Sequence, residues 1–217
     1  MFKLEPATSD TEDRLLQAAG EVFAEHGYRA ATVRQICEAA GANVAAVNYY
    51  FGDKEGLYMA VLRSVSKVNA DKYPPHALAG CEAAPEQELR AYIHNLLQRI
   101  FDEGRPGWHI KIMGRELIEP THGIDMIVEE GARPYHQTLA AIVRALLGPA
   151  AHQNTVRLCT LSILGQCAYY HHARQVIRRL YPEQRYGEED IEQLAEHITT
   201  FSLEGLRQFA QRRPDSP

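Results

Sequence analysis

The amino-acid sequence predicts an all-α fold. Apolar residues recur three or four positions apart through most of the 217 residues, whereas no convincing strand-like alternation and no long internal repeat is present. Capping residues, glycines and prolines divide this pattern into about nine or ten helices of ordinary length. We expect the helices to form two domains, at residues 1–53 and 54–217.

Composition and charge restrict the possible functions. Hydrophobic residues make up 45% of the chain and charged residues 24%, which is typical of a folded globular protein. The chain has 23 Lys and Arg against 28 Asp and Glu, so its net charge is −5. A protein that binds nucleic acid regardless of sequence is normally basic, and this composition argues against that function.

The cysteines and the uncharged segments indicate the cellular setting. The four cysteines (37, 81, 159 and 167) form no CxxC pair and no zinc-binding spacing, so we expect reduced thiols and neither metal nor cofactor. The longest uncharged run, residues 158–173, is too short and too polar to span a bilayer. Residues 1–20 contain no apolar segment of signal-peptide type. We therefore expect a cytoplasmic protein without a membrane partner.

The first two helices are marked by their end signals. Gly27 can adopt the positive φ that closes the first helix. Thr32 and Gln35 form a capping box, in which each side chain binds the backbone N–H of the other residue. The short helix that follows ends at Gly41.

The third and fourth helices follow after short intervals. Asn43 is a suitable N-cap for a short helix over residues 44–50. Asp53 can cap a fourth helix that runs to about Tyr73 and is ended by the proline pair at 74–75.

The remaining chain also has helical periodicity. Pro134 is expected to interrupt two neighbouring segments, and residues 154–180 are expected to form one long helix. The further predicted helices cover residues 85–101, where Pro85 suits the first helical position, 108–118, 124–130, 135–147 and 190–209.

Residues 32–54 fit a helix-turn-helix. This motif needs a tight turn containing glycine and small residues where its helices cross. Gly41 supplies the turn, and Cys37 is small enough for the crossing. Ile36, Val47 and Tyr50 supply the apolar contacts around the turn. The opposite face of the second helix is then free to enter the major groove of duplex DNA.

The side chains on that face suit base and backbone contacts. Asn48 can form a bidentate hydrogen-bonded pair with adenine, and Val44 and Ala45 can contact thymine methyl groups. Tyr49 can bond a phosphate, and Lys54 adds a charge at a helix N-terminus. The candidate DNA-binding residues are Thr32, Val33, Arg34, Asn43, Val44, Ala45, Asn48, Tyr49 and Lys54.

Plainer interpretations of three of these residues stay open. Asn48 could be a solvated polar residue, Arg34 a surface charge and Lys54 an ordinary lysine at a helix start. Tyr50 and Phe51 are expected to be core residues. Residues 27–54 carry a net charge of only +1, so base contacts would have to provide the specificity.

Residues 11–58 resemble the N-terminal domain of tetracycline-repressor (TetR) family regulators. The matching segments are residues 23–28, 31–36, 40–41, 49–55 and 57–58. Asn43 and Asn48 stand where the family often has Ser or Thr and Tyr, so the operator sequence does not follow by analogy. The dipeptides at 165–166 and 173–174 resemble the C-terminal domain of a CecR/CerR-like subgroup.

The resemblance implies a ligand-responsive regulator that acts on double-stranded DNA. It implies a homodimer that binds a palindromic operator, and a small-molecule effector that enters the C-terminal helical bundle and releases the DNA. Repression is the simplest expectation, and the sequence leaves activation open.

A mixed polar and apolar helix follows the Gly-Arg-Pro-Gly turn at 104–107. Its residues could line an amphipathic pocket, although a lone Trp and Met are more often core residues. The candidate ligand-binding residues are Trp108, His109, Met113, Arg115, Glu116, Tyr135 and Tyr169. His171 and His172 point about 100° apart on a helix, which makes them poor metal co-ligands.

Subunit contacts and two alternatives complete the sequence-based predictions. The helices that begin near 154 and 190 are expected to pair with their twins in a four-helix dimer interface. One alternative is an all-α enzyme that uses His, Tyr and Glu groups of the C-terminal bundle, although no nucleophile–base pair supports it. The other is an adaptor whose N-terminal domain binds protein.

Overall fold

The computed structural model describes residues 7–75 and 83–211, and these residues form helices and connecting turns without a β-strand. The prediction of an all-α fold is confirmed. Cys81 lies outside the described residues. The helices are α1 (Ala7–Ala30), α2 (Val33–Ala40), α3 (Val44–Phe51), α4 (Lys54–Lys72), α5 (Pro85–Phe101), α6 (Gly107–Ile118), α7 (Gly123–Met126), a π-helical turn (Ile127–Ala132), α8 (Arg133–Leu147), α9 (Gln153–His172), α10 (Arg174–Leu180) and α11 (Glu188–Gln211).

The chain divides into two compact units, each built from two stretches of sequence. The N-terminal unit comprises residues up to Val68 together with Glu103–Gly131. The C-terminal unit comprises Asn69–Asp102 and the chain from Ala132 onwards. The predicted boundary at residues 53 and 54 does not coincide with this division, because most of α4 and all of α6 pack with the first three helices.

The core of the N-terminal unit is formed by one apolar cluster. Leu15, Ala19 and Phe23 of α1 are fully or almost fully buried in it. Trp108 of α6 packs so closely on α1 that a Cβ atom at Gly20 would lie 2.5 Å from the indole ring. Glycine at position 20 therefore allows α1 and α6 to approach each other. The other buried members are Ala18, Ala24, Ala31, Ile36, Cys37, Ala40, Val47, Leu57, Tyr58, Val61, Leu62, Val65, Ile112, Met126 and Ile127.

The helices of the C-terminal unit surround a second apolar core. Helices α5, α8, α9 and α11 supply its buried side chains, and α11 packs on each of the other three. Tyr92 and Tyr135 connect the helices through hydrogen bonds: the Tyr92 hydroxyl donates to the Tyr135 carbonyl at 3.0 Å, and the Tyr135 hydroxyl donates to the Tyr73 carbonyl at 2.6 Å. Lys72 and Asp102 form an ion pair at 2.8 Å.

Two predicted helix boundaries were wrong. The segment 154–180 is two helices, since the chain bends at Ala173, where φ is −90° and ψ is 7°. No glycine or proline marks this bend. Pro134 does not interrupt the chain: it lies at the start of α8, and helical backbone angles continue into it through Ala132, where φ is −82° and ψ is −39°. The preceding π-helical turn leads directly into α8.

We predict that Gly56→Ala destabilises the N-terminal unit. A Cβ atom at position 56 would lie 2.0 Å from the Phe51 carbonyl oxygen, and this backbone atom cannot move without shifting the end of α3. We expect a loss of about 3 kcal/mol or more of unfolding free energy in chemical denaturation. Gly114→Ala is the control, because its Cβ would meet nothing within 4 Å and helix propensity then favours alanine. Equal stability of the two variants would contradict the prediction.

Candidate nucleic-acid interface

The N-terminal end of α2 is fixed by the predicted capping box. The Thr32 hydroxyl accepts from the Gln35 N–H at 3.2 Å, and the Gln35 carboxamide oxygen accepts from the Thr32 N–H at 2.9 Å. Thr32 also donates its hydroxyl proton to that carboxamide oxygen at 2.8 Å. The exposed Thr32 side chain is therefore held in one orientation at the start of α2.

The turn between α2 and α3 is tight and is anchored from below. Gly41 has φ 61° and ψ 38°, a left-handed conformation that glycine adopts without steric cost. The Ala42 N–H donates to the Cys37 carbonyl at 2.9 Å. Ile36 and Val47 are fully buried beneath the turn, so the crossing of the two helices is set by apolar packing.

Helix α3 presents most of its surface to solvent. Val47 is its only buried residue, whereas Val44, Ala45, Asn48 and Tyr49 are exposed, with 78% of Tyr49 accessible. The helix carries no charged side chain, so the exposed face offers amide, hydroxyl and apolar groups. Such a face can read base edges by hydrogen bonding and methyl contact.

Asn43 and Arg34 lie at the two sides of this surface and both have partners within the chain. Asn43 caps α3, since its side-chain oxygen accepts from the Ala46 N–H at 2.9 Å. Arg34 forms an exposed ion pair with Glu38 at 2.9 Å. An exposed pair of this kind contributes about 1 kcal/mol or less, so the guanidinium can be released to another anion at little cost. Val33, the neighbour of Arg34, is half-buried.

Lys54 is bound to the end of α1. Its ammonium group donates to the Arg29 carbonyl at 3.3 Å and lies 4.8 Å from the centre of the Tyr28 ring. Ammonium groups have three donors, so these contacts leave capacity for a phosphate. No local pattern in the sequence indicates this contact, because Arg29 and Tyr28 are about 25 positions away.

The predicted ligand-binding residues fall into two groups. Those on α6 belong to the N-terminal unit, whereas Tyr135 and Tyr169 belong to the C-terminal unit. Tyr135 is buried, with the Arg99 guanidinium 3.9 Å from its ring centre. Tyr169 is 59% exposed. These seven residues thus do not form one cluster within either unit.

Arg115 and Glu116 hold elements of the N-terminal unit together. The Arg115 guanidinium donates to the carbonyl oxygens of Ala24 and Glu25 at 2.8 and 2.7 Å. These carbonyls lie at the end of the regular part of α1, just before Gly27, which has a φ of 77°. Arg115 therefore ties α6 to the last turn of α1 before its kink at Gly27.

The Glu116 carboxylate is 1% exposed and fully hydrogen-bonded. It accepts from the Tyr58 hydroxyl at 2.7 Å, and from the Thr121 N–H and hydroxyl at 2.7 and 2.8 Å. Burial and the bond to Glu116 hold the pKa of Tyr58 well above its usual range. Glu116, Arg115 and Tyr58 also line a cleft of about 500 Å³ with Phe23 and Tyr28.

Trp108 and His109 are buried at the start of α6, whereas Met113 is half-buried. The Trp108 and His109 rings are in edge-on contact, with centres 4.0 Å apart. Among the residues that the structure describes, the Trp108 Nε1 and His109 Nδ1 atoms have no hydrogen-bond partner. Buried polar atoms normally have partners, so these two atoms are available to a bound polar molecule.

The two ends of the chain match two protein families. Residues 15–61 match the N-terminal domain of bacterial regulatory proteins of the tetR family. Residues 85–206, more than half of the chain, match the C-terminal domain of the HTH-type transcriptional dual regulator CecR. This chain belongs to the TetR family and has a CecR-type C-terminal domain.

Individual relatives agree with this assignment. The transcriptional dual regulator CecR of Shigella flexneri is 28% identical over 206 residues, which cover 90% of this chain and 92% of that protein. The transcriptional repressor AcnR of Corynebacterium glutamicum is 44% identical over 55 residues, 25% of this chain and 29% of that protein. The resemblance to the TetR family and to the CecR-like subgroup is confirmed.

Solved structures share the fold. A TetR-like transcriptional regulator from Rhodococcus sp. RHA1 has a TM-score of 0.65 at 16% identity and covers 94% of this chain and 99% of its own. The TetR-family regulator PfmR from Thermus thermophilus has a TM-score of 0.58 at 18% identity and covers 88% of this chain and 98% of its own.

Membership of the TetR family identifies a DNA-binding transcriptional regulator. The prediction that the chain is a DNA-binding transcriptional regulator is confirmed. Within residues 7–75 and 83–211, no helix is both long enough and apolar enough to cross a membrane.

We predict that acid destabilises the protein through His109. Burial, followed by the nearby Arg105 charge, lowers the His109 pKa below its ordinary value of 6.5. As the pH falls below 6.5, the unfolded chain binds a proton that the folded protein resists, so His109 contributes stability above this pH that is lost on acidification. Chemical denaturation at pH 7 and at pH 5 measures the unfolding free energy at each pH. The decrease in this free energy from pH 7 to pH 5 should be smaller for His109→Phe than for the native chain. Trp108→Phe removes no titratable group, so the decrease in its unfolding free energy from pH 7 to pH 5 should equal that of the native chain. A native pH dependence in His109→Phe would contradict the assignment.

Proposed function

We propose that this TetR-family protein binds a palindromic DNA operator as a homodimer and is released when a small effector molecule binds. The exposed, uncharged face of α3 carries this proposal. Because Val47 anchors the helix while its neighbours stay accessible, α3 can enter a major groove without rearrangement. Operator DNA lies in the cytoplasm of a bacterium, where we expect the protein to act.

Base recognition is assigned to the centre of the α3 face. Asn48 provides one donor and one acceptor for adenine, and its side chain has no partner among the described contacts of α3. Val44 and Ala45 contact thymine methyl groups. Asn43 serves as the N-cap, and its amide donors stay free for DNA.

Phosphate contacts are assigned to the edges of the helix-turn-helix. Thr32, Arg34 and Tyr49 are exposed, and Lys54 is half-buried beside the end of α1. Tyr49 packs edge-on against Tyr50 with ring centres 4.9 Å apart, which limits the motion of its hydroxyl. Because few cations are available, we expect orientation by phosphate contacts and specificity from the bases.

Dimerisation is assigned to α9 and α11. Helix α9 exposes Leu158, Leu161 and Tyr169, and α11 exposes Phe201 and Phe209. Large exposed apolar side chains at helical spacing are typical of a subunit interface. Pairing of these helices with their twins should place the two α3 helices about 34 Å apart, one turn of DNA.

Effector binding is assigned to the start of α6. Trp108 and His109 supply the unpartnered polar atoms, with Met113 as an adaptable apolar neighbour. Arg115 and Glu116 connect the same helix to α1 and Tyr58, so a shift of α6 would be transmitted to the helix that packs on α2. The effector must bind the DNA-free conformer more tightly than the DNA-bound conformer. Tyr135 and Tyr169 are not assigned to this site, because both belong to the C-terminal unit and the Tyr135 hydroxyl is already bonded to the Tyr73 carbonyl.

We predict that Asn48→Ala weakens operator binding by about 1–3 kcal/mol and relaxes the preference at one base position. Selection of bound sequences from random duplex DNA, followed by titration of the selected operator, measures both effects. Gln17→Ala is the control, because Gln17 is an exposed amide on α1 and lies outside the proposed interface. An unchanged base preference in Asn48→Ala would remove Asn48 from sequence recognition.

We predict that Leu161→Glu combined with Phe201→Glu produces a folded monomer with strongly reduced operator affinity. Two buried charges on each side of the interface would lack partners, which is costly in a subunit contact. Sedimentation velocity reports the mass and circular dichroism reports the folding. Ile118→Glu is the control, since Ile118 is exposed on α6, a helix outside the proposed interface. A dimeric double variant would place the interface elsewhere.

A further inference from the structure

The charge of this chain is unevenly distributed along its sequence. Residues 131–182 contain six arginines, at 133, 144, 157, 174, 178 and 179, and no Lys, Asp or Glu. This stretch therefore carries +6 in a chain whose net charge is −5, so the remaining residues carry −11. A basic stretch within an acidic protein indicates a local attraction for anions.

Two of these arginines, Arg144 and Arg157, line a groove in the C-terminal unit. The groove lies between α8 and the start of α9 and has a volume of about 430 Å³. His136, Arg144, His152 and Arg157 form its polar wall, and Ala140 and Val156 contribute apolar surface. No carboxylate is among the described residues that line it.

Within residues 7–75 and 83–211, the two arginines of the groove have no anionic partner. Arg157 donates to the neutral side-chain oxygen of Asn154 at 2.7 Å. Neither Arg157 nor Arg144 forms an ion pair with a carboxylate in the described part of the chain. By contrast, Arg90 of the same unit is paired with both Glu192 and Glu196.

The start of α9 adds to the positive potential of the groove. The Nδ1 atom of His152 accepts from the Asn154 N–H at 3.2 Å, so the ring proton is on Nε2, which can act as a donor. The first N–H groups of this 20-residue helix contribute a partial positive charge at the same place. The guanidinium groups, the imidazole N–H and the helix N-terminus therefore all favour a negatively charged ligand.

We propose that this groove binds a small organic anion, with a carboxylate or phosphate group held by Arg144 and Arg157 and a compact apolar body over Ala140 and Val156. Arginine forms two parallel hydrogen bonds with either anionic group, which suits both chemistries. The volume is that of a small-molecule site, and a concave groove with an apolar floor fits one small ligand better than a nucleic-acid backbone. The site involves only the C-terminal unit and does not depend on operator binding.

Isothermal titration of the full chain with phenyl phosphate and with benzoate tests the proposal. Benzyl alcohol, which keeps the ring and lacks the charge, should bind much more weakly than either anion. Arg144→Gln and Arg157→Gln should each lower the affinity for the anions by about tenfold or more, the effect of losing one charge-assisted pair. Arg178→Gln is the matched control, because it removes the same charge from α10, outside the groove.

Further measurements separate this site from general attraction to the basic stretch. Circular dichroism should show the native helix content for all three variants, and ³¹P line broadening of phenyl phosphate should be lost only in the two groove variants. Equal losses in Arg178→Gln, or binding of benzyl alcohol as tight as that of the anions, would overturn the proposal.

The source of the anionic group is decided by a separate comparison. Free phenyl phosphate should bind in the absence of lipid. Arg144→Gln and Arg157→Gln should each weaken that binding. Binding confined to phosphatidylglycerol vesicles, with none to phosphatidylcholine vesicles or to free anions, would overturn the small-ligand site in favour of a lipid surface. Anion binding by a chain that selects no DNA sequence would leave this site intact while the proposed function failed.

Discussion

The tight turn at Gly41 is the constraint on which the exposed face of α3, the proposed DNA-reading surface, depends. Its left-handed conformation brings α3 across α2 at a short distance, so Val47 can be buried beside Ile36 while the rest of α3 remains outside. A helix of eight residues has little surface of its own with which to hold a fixed position. One buried side chain, two caps and one turn therefore define how every residue on the exposed face is presented.

The N-terminal unit is completed by polar contacts between residues that are far apart in the chain. Tyr58 and Glu116 are separated by 58 positions, and Arg115 binds carbonyl groups about 90 positions earlier. Loss of Glu116 would deprive the buried Tyr58 hydroxyl of its acceptor, and loss of Arg115 would remove the donors to the Ala24 and Glu25 carbonyls, and both changes are costly. The helix-turn-helix and α6 consequently belong to one compact unit, so the proposed effector site on α6 is directly connected to α1.

Charge is used differently in the two units. The exposed face of α3 is uncharged, which favours discrimination among bases over strong attraction to any duplex. The arginine-rich stretch lies instead on α8, α9 and α10 of the C-terminal unit, where part of it lines a concave groove. The proposed base contacts therefore use an uncharged face of the N-terminal unit, whereas the proposed anion site uses arginines of the C-terminal unit.

The sequence by itself determined the helical fold, the caps at Thr32, Asn43 and Asp53 and the exposed reading face, because these features depend on residues within one or two helical turns. Only the tertiary structure decided that α6 joins the N-terminal unit and that Arg115 and Glu116 have internal partners. It also decided that the long helix bends at Ala173, where no residue type marks a break. Such features depend on the packing of surfaces that are distant in sequence, and local patterns contain no information about which surfaces meet.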